Sequence, residues 1–411
     1  MSTHTGASLS TSRDVAALAL RLNPKRAHLL VSSILGKHVP VPAGTVLLAA
    51  ADLGALARAA LNLHQDQGAG VDPFVVGFAE TATALGHGVA RVCAPDDGQA
   101  PYAHTTRRPV PAGAHVLAFE EEHSHATEQV LAVTDDAQLL DRRRPVVLVD
   151  DELSSGRTAV NAVRALQRRW PRERYLLASL LDVRSSAQRE ANRAEVAELG
   201  AELLSVALVD GQVQLPADLT ATAATLVAGR DTPPPPVRAQ VPVTEWALAM
   251  AAPLTGAFGW DASSELALRS AVDLLAARLQ LTGTVLVLGD EEFMYAGQLL
   301  ARSLGPRVCT GSTTRSPALV VDEPGYPLRT ALRFGATDDA ARAAFAYNVL
   351  PSAHADRGPA PGFDHIVLLL DQPVPAHTRA GLISQLAQAA TSSVQVVVLA
   401  HAAAHTVRRL P

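Results

Sequence analysis

The sequence predicts an α/β protein with a doubly wound parallel sheet at its core, followed by a second α/β domain. Short apolar runs alternate with Ala- and Leu-rich segments of helical spacing over most of the 411 residues, an order typical of parallel sheets with helices on both faces. Hydrophobic residues form 48% of the chain and aromatic residues 4%, as expected when alanine-rich helices cover buried strands. The prolines at 233–236 fit neither helix nor sheet, so they mark a linker between the two domains.

The elements of the first domain follow from this alternation. Apolar runs predict strands near residues 74–77, 116–119, 146–149, 175–183 and 203–208, and helical spacing predicts helices near 51–63, 82–89, 158–169 and 186–199. The polar start of the chain suggests that order begins at Asp14. We therefore expect a flexible segment at 1–13, a first domain at 14–228, a linker at 229–243 and a second domain at 244–411.

Charge and cysteine content narrow the range of functions. The formal net charge is −5 and the sequence has no basic tract, so bulk nucleic-acid binding lacks electrostatic support and the ligand should be small. Cys93 and Cys309 lie far apart in a chain without a secretory leader pattern, which favours a reducing, cytoplasmic location. We expect no membrane association, because no apolar run reaches the length of a membrane span.

The most informative segment is a strand-turn-helix pattern at residues 146–159. Four apolar residues precede two adjacent carboxylates, Asp150 and Asp151. The small and polar turn that follows and opens a helix consists of Ser154, Ser155, Gly156, Arg157 and Thr158. Carboxylates at the carboxyl edge of a sheet can bind ribose hydroxyls, while N–H groups at a helix N-terminus can bind a phosphate. The pattern therefore indicates a sugar-phosphate site, with a solvated turn capped by an aspartate as the alternative.

The order of motifs recurs beyond the linker. The segments 77–80, 91–93, 105–109 and 146–151 are echoed in the same order at 289–292, 307–309, 313–317 and 367–371. Either the fold is duplicated, or two Ala/Val-rich domains resemble each other by composition. The second copy has a single carboxylate, Asp371, and prolines at 373 and 375 where a phosphate turn needs free N–H groups. We do not expect it to bind the sugar phosphate in the same way.

The segment 146–158 resembles the phosphoribosyl pyrophosphate motif of the type I phosphoribosyltransferases: an apolar strand, two acidic residues and a Thr/Ser-Gly-x-Thr turn. Over the whole chain, residues 23–40, 77–83 and 119–126 are similar to an orotate-phosphoribosyltransferase-like family of bacterial stress and tellurite-resistance gene clusters. The C-terminal TRSP domain of that family is named for the tetrapeptide Thr-Arg-Ser-Pro, which stands here at 314–317. The resemblance implies a type I fold with a hood in the first domain, and phosphoribosyl transfer as the activity.

The resemblance also implies roles for single residues. Asp150 and Asp151 would hold the ribose, directly or through waters of a Mg²⁺ that is bound mainly by the substrate. The turn 154–158 would bind the 5′-phosphate. The family's pyrophosphate loop corresponds to Ala79, Glu80, Thr81 and Ala82. Because a carboxylate is unusual beside an anion, Glu80 should face a metal or a partner cation, or the loop is remodelled.

Further residues are implied for the leaving group. Arg107 and Arg108 are the best cations for pyrophosphate, since guanidinium groups bind phosphate oxygens bidentately; the alternative is a pair of solvated surface arginines. His123 and His125 lie where these transferases carry a mobile catalytic loop, and either could donate to the leaving group. A metal site at the same place lacks a standard zinc spacing.

Acceptor recognition and the second domain complete the expected site. Lys37 and His38 stand in the segment that forms the hood over the base, or in an exposed loop, and Arg184 either meets an acidic acceptor or caps the helix starting at Ser185. Type I transferases commonly dimerise so that a cation of one subunit completes the other's site. A homodimer, or an intramolecular pseudo-dimer, would then use second-domain residues; an alternative is that they serve a separate ligand pocket. These residues are Glu292, Thr314, Arg315 and Asp371.

The expected activity is Mg-dependent transfer of a phosphoribosyl group from phosphoribosyl pyrophosphate to a small, base-like acceptor, in making or salvaging a nucleotide-like metabolite. One alternative is a regulatory protein that binds the same ligand without turning it over. Another is a diphosphokinase such as the synthetase of phosphoribosyl pyrophosphate. In that enzyme the intact motif lies in the second of two tandem domains, whereas here it lies in the first.

Overall fold

The computed structural model describes residues 6–21, 27–62, 72–94, 98–120, 128–134, 141–228, 240–250, 253–352, 362–401 and 407–409. The proline run expected as a linker lies outside these residues. In chain order the strands of the first half are β1 (Ser8–Thr11), β2 (Ala16–Leu20), β3 (His28–Ser32), β4 (Val41–Pro42), β5 (Phe74–Gly77), β6 (Tyr102–His104), β7 (His115–Glu120), β8 (Glu128–Val133), β9 (Val146–Leu153), β10 (Arg174–Asp182) and β11 (Glu202–Gln214). The helices of this half are α1 (Ala43–Asn62), α2 (Thr83–Cys93), α3 (Arg157–Arg169), α4 (Ser186–Glu198) and α5 (Leu219–Ala228).

A six-stranded sheet organises this half in the order β1-β11-β10-β9-β5-β6. Four of its five strand pairings are parallel, and the edge strand β1 pairs antiparallel with β11. The predicted strands and the α/β class are confirmed, while β7 and β8 form an antiparallel hairpin outside the sheet. The chain enters the sheet at Ser8, earlier than the expected start of order at Asp14. We call this sheet with its helices the first unit.

The second half forms a seven-stranded sheet in the order β19-β12-β18-β17-β13-β14-β4. Its strands are β12 (Val243–Met250), β13 (Val285–Gly289), β14 (Cys309–Ser312), β15 (Ala331–Gly335), β16 (Ala343–Tyr347), β17 (Phe363–Leu370), β18 (Ala390–His401) and β19 (Val407–Arg409), and its helices are α6 (Ala262–Leu279), α7 (Tyr295–Leu304) and α8 (Ala376–Ala389). The edge strand β4 comes from the N-terminal part of the chain and pairs antiparallel with β14. This sheet with its helices is the second unit.

The two units share one topology, which supports duplication over similar composition. The parallel series β10-β9-β5-β6 of the first sheet corresponds to β18-β17-β13-β14 of the second. The hairpin β7–β8 corresponds to β15–β16, which occupies the same place in the chain. Gly77 pairs with Val149 and Gly289 pairs with Leu369. Asp151 lies two residues after Val149, and Asp371 lies two residues after Leu369, so the two aspartates are structural equivalents.

The units are joined by a common hydrophobic core. One cluster of buried side chains includes Leu85 and Val89 from α2 together with Leu299 and Leu300 from α7. Helix α1 packs against α2 and α7, and against β10 and β11. We expected no apolar run long enough to span a membrane, but residues 43–61 of this helix are long and apolar enough to do so. Of this stretch, 39% is buried inside the protein. A helix of a protein core passes the same test, so this signal is weak.

Candidate functional site

The adjacent carboxylates lie at the carboxyl end of β9, between β5 and β10. Strand pairing continues through them, with Asp150 opposite Ser179 of β10. The Asp151 N–H donates to Asp150 Oδ1 at 2.9 Å, and Thr81 Oγ1 donates to Asp151 Oδ1 at 2.8 Å. Burial raises the pKa of Asp151, the nearby Glu152 charge adds to this, and the hydrogen bond from Thr81 opposes it. The acid pair is therefore half-buried and tied directly to the turn after β5.

The turn after β9 (residues 154–158, the β9 turn) opens helix α3 through a glycine in the left-handed region. Gly156 has φ +76° and is the N-cap residue. A Cβ at this position would lie 2.1 Å from Asn192 Oδ1, so the close approach requires glycine. Glycine has no side chain to cap the helix, and the Arg157 N–H donates to Ser155 Oγ at 3.2 Å, so the N–H groups that follow Arg157 are the ones suited to an anion. Ser154, Ser155 and Thr158 are half-buried around this turn.

Two arginines expected at the ligand instead support the protein. Arg157 is exposed, and its guanidinium pairs with Glu195 of α4 at 3.2 Å. Arg184 is buried and binds Asp182 through Nε and Nη2 at 3.0 and 2.8 Å. Its remaining nitrogen, Nη1, donates at 2.9 Å to Asn192 Oδ1, the same atom that a Cβ at Gly156 would approach. Neither expectation for Arg184 holds, since it braces the β9 turn and the cap of α4 is supplied by Ser185 with Gln188.

The turn after β5 (residues 78–82, the β5 turn) is held by backbone and side-chain hydrogen bonds. Thr105 Oγ1 accepts from the Ala79 N–H at 2.7 Å, and Gln129 Nε2 donates to the Ala79 carbonyl at 2.6 Å. The Ala82 N–H donates to the Phe78 carbonyl at 2.9 Å, and Ala82 itself is fully buried. The peptide between Ala79 and Glu80 is cis. The hydrogen bonds to Thr105 and Gln129 fix the backbone of the β5 turn, and the bond from Thr81 to Asp151 joins the turn to the acid pair.

Glu80 of this turn is buried within a group of cations, which agrees with the expectation of a partner cation. Lys37 Nζ lies 2.6 Å from Glu80 Oε1, and the guanidinium groups of Arg107 and Arg315 lie 3.9 and 3.8 Å from Oε2. Burial opposes ionisation of Glu80, but the charges of Lys37 and Arg107 and hydrogen bonds from Lys37 and Thr314 lower its pKa to about 2. The carboxylate is therefore ionised and internally neutralised.

Lys37 and His38 do not occupy the expected positions, because both are buried where the units meet. Beyond its ion pair with Glu80, Lys37 Nζ donates to the carbonyls of Glu291 and Thr313 at 3.1 and 2.9 Å. Burial, followed by the Lys37 charge, lowers the pKa of His38 to about 3. These two residues are therefore neither an exposed loop nor a contact for a base at the acid pair.

The second unit repeats the arrangement at its own turn after β13. Glu292 Oε2 accepts from Thr106 Oγ1 at 2.7 Å, and Glu292 Oε1 accepts from the Arg107 N–H at 2.9 Å. In the opposite direction, the Arg315 N–H lies 3.5 Å from Glu80 Oε2, and the Thr314 side chain hydrogen-bonds to Glu80. Each unit thus contacts a glutamate of the other unit through two consecutive residues, Thr106-Arg107 or Thr314-Arg315, which we call its Thr-Arg step.

Arg108 departs from its expected role as a pyrophosphate ligand. Its guanidinium forms an ion pair with the carboxylate of Asp371, at the end of β17 in the second unit. Burial raises the pKa of Asp371, and the Arg108 charge opposes this rise. Arg315 also pairs with Glu291 at 2.7 Å and with Asp338 at 3.4 Å. The second unit's carboxylates are therefore engaged by arginines of both units.

The structure reveals site residues that sequence reasoning missed. Thr105 and Gln129 fix the Ala79 backbone, and Asn192 closes the space behind Gly156. Thr105 belongs to a segment echoed in the second half, and this could have drawn attention to it; Gln129 and Asn192 carry no comparable signal. His123 and His125 lie outside the described residues. Within the described ranges, no group of three or more His, Cys, Asp or Glu side chains could hold a metal ion.

Comparisons with known proteins match both halves of the chain. A family model described as phosphoribosyl transferase matches residues 15–212, and a model of the TRSP domain C-terminal to that transferase matches residues 254–386. No curated protein matches the chain.

Solved adenine phosphoribosyltransferases are similar to part of the chain. The enzyme of Trypanosoma brucei is 12% identical, with 48% of this chain and 76% of that chain covered at a TM-score of 0.32. The enzyme of Giardia lamblia is 17% identical, with 47% and 92% covered at a TM-score of 0.30. The two family matches confirm the resemblance seen in the sequence, and the chain therefore belongs to the phosphoribosyltransferase family in which a TRSP domain follows the transferase domain.

Proposed function

We propose that the chain transfers a phosphoribosyl group from phosphoribosyl pyrophosphate to a small, base-like acceptor at the edge of the first sheet. The hydrogen bond from Thr81 to Asp151, 2.8 Å long, is the observation that carries this proposal. It joins the β5 turn, suited to pyrophosphate, to the acid pair suited to ribose. A substrate with ribose at the acids would therefore place its leaving group at the β5 turn.

The acid pair suits the chemistry of the ribose. Departure of pyrophosphate from C1 leaves positive charge on the sugar ring, and fixed carboxylates stabilise this charge in a site that excludes water. Asp150 and Asp151 can also accept hydrogen bonds from the ribose 2- and 3-hydroxyls. Their oxygen donors fit Mg²⁺, which prefers carboxylates and retains several waters. When bound with the substrate, Mg²⁺ would supply charge neutralisation at the pyrophosphate, with Asp150 and Asp151 holding it through water.

The β9 turn suits the 5′-phosphate. Gly156 itself supplies no side-chain cap to α3, although the Arg157 N–H donates to Ser155 Oγ at 3.2 Å, and the helix dipole favours an anion at this end. The hydroxyls of Ser154, Ser155 and Thr158 border the turn and can donate to phosphate oxygens. Binding this end of the substrate fixes C1 relative to the acid pair, which converts binding energy into orientation of the reacting atoms.

The β5 turn can hold pyrophosphate because its only acidic side chain is already neutralised. Lys37 pairs with Glu80, and the Ala79 and Ala82 N–H groups donate within the protein, so the cations near the loop, Arg107 and Arg315, are what it offers to the leaving group. Guanidinium groups within about 4 Å of the loop stabilise the charge that develops on pyrophosphate as the bond to C1 breaks. Arg107 and Arg315 are therefore the cations we assign to the leaving group.

The same geometry fits a second function. A regulatory protein that binds phosphoribosyl pyrophosphate without turnover would need the same turns and acids. The family resemblance implies three further points, which we include in the proposal of phosphoribosyl transfer. They are a base-like acceptor, a role in stress or tellurite resistance, and a cytoplasmic location. Two unpaired cysteines, Cys93 and Cys309, agree with a reducing compartment.

The test separates the two functions. The protein is incubated with Mg²⁺ and phosphoribosyl pyrophosphate against a panel of purine and pyrimidine bases and a cell extract, and pyrophosphate release is followed by mass spectrometry. Calorimetry on the same sample measures binding. Release with an acceptor supports the enzyme, binding without release supports the regulator, and absence of binding contradicts both.

A further inference from the structure

The segments after β6 and β14 are structural equivalents, residue by residue. The Thr105 N–H donates to the Gly77 carbonyl at 2.9 Å, and the Thr313 N–H donates to the Gly289 carbonyl at 3.0 Å. These bonds place the two threonines at the same point relative to their sheets. The following residues, Thr106 and Thr314, each form a bridge to the second strand of the neighbouring hairpin.

The equivalence extends to the fourth residue of each segment. The Arg108 N–H donates to Thr106 Oγ1 at 3.1 Å, and the Ser316 N–H donates to Thr314 Oγ1 at 3.2 Å. Arg108 and Ser316 therefore occupy the same position in their units. One position carries a long cation and the other a short hydroxyl.

The contacts that these two segments make with the opposite unit are equivalent as well. The Thr-Arg step of the first unit binds Glu292, and the Thr-Arg step of the second unit binds Glu80. The residue after the first step, Arg108, then reaches the carboxylate edge of the opposite sheet, where it pairs with Asp371. Since strand register makes Asp371 the equivalent of Asp151, the place opposite Asp151 belongs to Ser316.

We propose that Ser316 of the second unit faces Asp151 and that its small side chain keeps the first sheet edge open for ribose and its metal. At the second sheet edge, the Arg108 guanidinium fills the corresponding space and neutralises Asp371. The chain therefore has one open sugar-phosphate edge and one closed by an internal ion pair. Ser316 is half-buried, consistent with a residue at the rim of a site rather than in the core.

The identity of the ligand rests on the proposed function, whereas the position of Ser316 does not. A guanidinium introduced at Ser316 should pair with Asp151, as Arg108 pairs with Asp371, and so occupy the ribose end of the site. The test therefore has one measurement that needs the ligand and one that does not.

The ligand-independent measurement is a double-mutant cycle in thermal unfolding. Ser316→Arg is compared with Ser316→Gln, of similar length without charge, in the presence and absence of Asp151→Asn. We expect Ser316→Arg to unfold about 2 °C above Ser316→Gln when Asp151 is intact, and at the same temperature when it is neutral. Ala380→Arg adds the same charge to an exposed helix position and should show no dependence on Asp151. A Ser316→Arg effect that is independent of Asp151 would overturn the proposed placement.

The ligand-dependent measurement is calorimetry with Mg²⁺ and phosphoribosyl pyrophosphate. Ser316→Arg should bind at least about tenfold more weakly than Ala380→Arg, a loss worth about 1.4 kcal/mol. If Ser316→Arg does not fold, Ser316→Cys is labelled with a cationic thiol reagent, and the ligand should slow its modification. Equal affinity, or equal labelling rates with and without ligand, would overturn the inference. If the unsubstituted protein binds no ligand, the proposed function fails while the unfolding cycle still decides the placement of Ser316.

Discussion

Glu80 and Glu292 occupy equivalent positions, three residues after Gly77 and Gly289, and each carboxylate is bound by the Thr-Arg step of the opposite unit. The exchange means that the turn after β5 is completed by residues of the second unit. Lys37, from the N-terminal part of the chain, strengthens the junction by bonding to Glu80 and to the Glu291 and Thr313 carbonyls. Residues of the second unit thus contact the β5 turn of the first unit.

We expect the double substitution Asp150→Asn with Asp151→Asn to lower the rate of pyrophosphate release about a hundredfold or more. The reason is that it removes the charges that stabilise the sugar cation. The fold should persist, since asparagine keeps an oxygen that can accept from Thr81. Pyrophosphate release and circular dichroism are the measurements. Asp218→Asn, at an exposed position before α5, is the control. Release at the rate of this control would remove the acid pair from the mechanism.

Gly156→Ala should abolish binding of the 5′-phosphate end, whereas Gly200→Ala should not. Both glycines lie in the left-handed region, with φ of +76° and +80°, so alanine costs either position about 1 kcal/mol of stability. Only at Gly156 does the new Cβ also collide, at 2.1 Å from Asn192 Oδ1; at Gly200 nothing within the described residues lies within 4 Å. Calorimetry with ribose 5-phosphate compares the two, and equal affinities would contradict the assignment.

The sequence predicted the fold and the positions of the turns after β5 and β9 because these depend on local pattern. The strand before Asp150, the glycine at 156 and the repeat of motifs all follow from spacing and backbone chemistry. The partners of charged side chains were not predictable, because they depend on how the units pack. Arg108 carries the chemistry of an anion ligand, yet it binds Asp371, which the opposite unit brings to it. Arg184 binds Asp182, two residues earlier at the end of β10, and Asn192 of α4.

Removing the buried cation at the junction should destabilise the protein strongly. Lys37→Met leaves Glu80 buried beside the β5 turn, at a cost of about 3 kcal/mol. Arg174→Met, which breaks the exposed pair with Glu202, should cost about 0.5 kcal/mol or less. Denaturant unfolding measures both. Similar costs for the two variants would show that the Glu80 ion pair contributes little.

The same carboxylate predicts an acid-dependent loss of stability. The cations around Glu80 overcome its burial and lower its pKa from 4.5 to about 2. A lowered folded-state pKa means that the stabilisation is fully present above pH 4.5 and is lost as pH falls from 4.5 towards 2. Glu80→Gln removes this titrating group. Between pH 4.5 and pH 2, the unfolding free energy of the Glu80→Gln variant should therefore change less than that of the unsubstituted protein. Parallel curves for the two proteins would contradict the assignment.

The last prediction concerns Arg315, which is placed to act on the first unit from the second. It shares Glu291 with Arg342, and each guanidinium lies 2.7 Å from that carboxylate. Of the two, Arg315 is the one that also forms an ion pair with Glu80 in the described part of the chain, at 3.8 Å. Arg315→Ala and Arg342→Ala therefore remove similar charges from Glu291 and differ at the β5 turn.

If Arg315 stabilises departing pyrophosphate, Arg315→Ala should lower kcat about 10- to 100-fold, with a smaller effect on ribose 5-phosphate binding, since its contribution grows in the transition state. Arg342→Ala should change kcat by less than about threefold, because it leaves the β5 turn intact. Steady-state kinetics with pyrophosphate detection and calorimetry with ribose 5-phosphate give both quantities. Equal losses of kcat in the two variants would mean that Arg315 acts by stabilising Glu291, and its contact with Glu80 would then be structural.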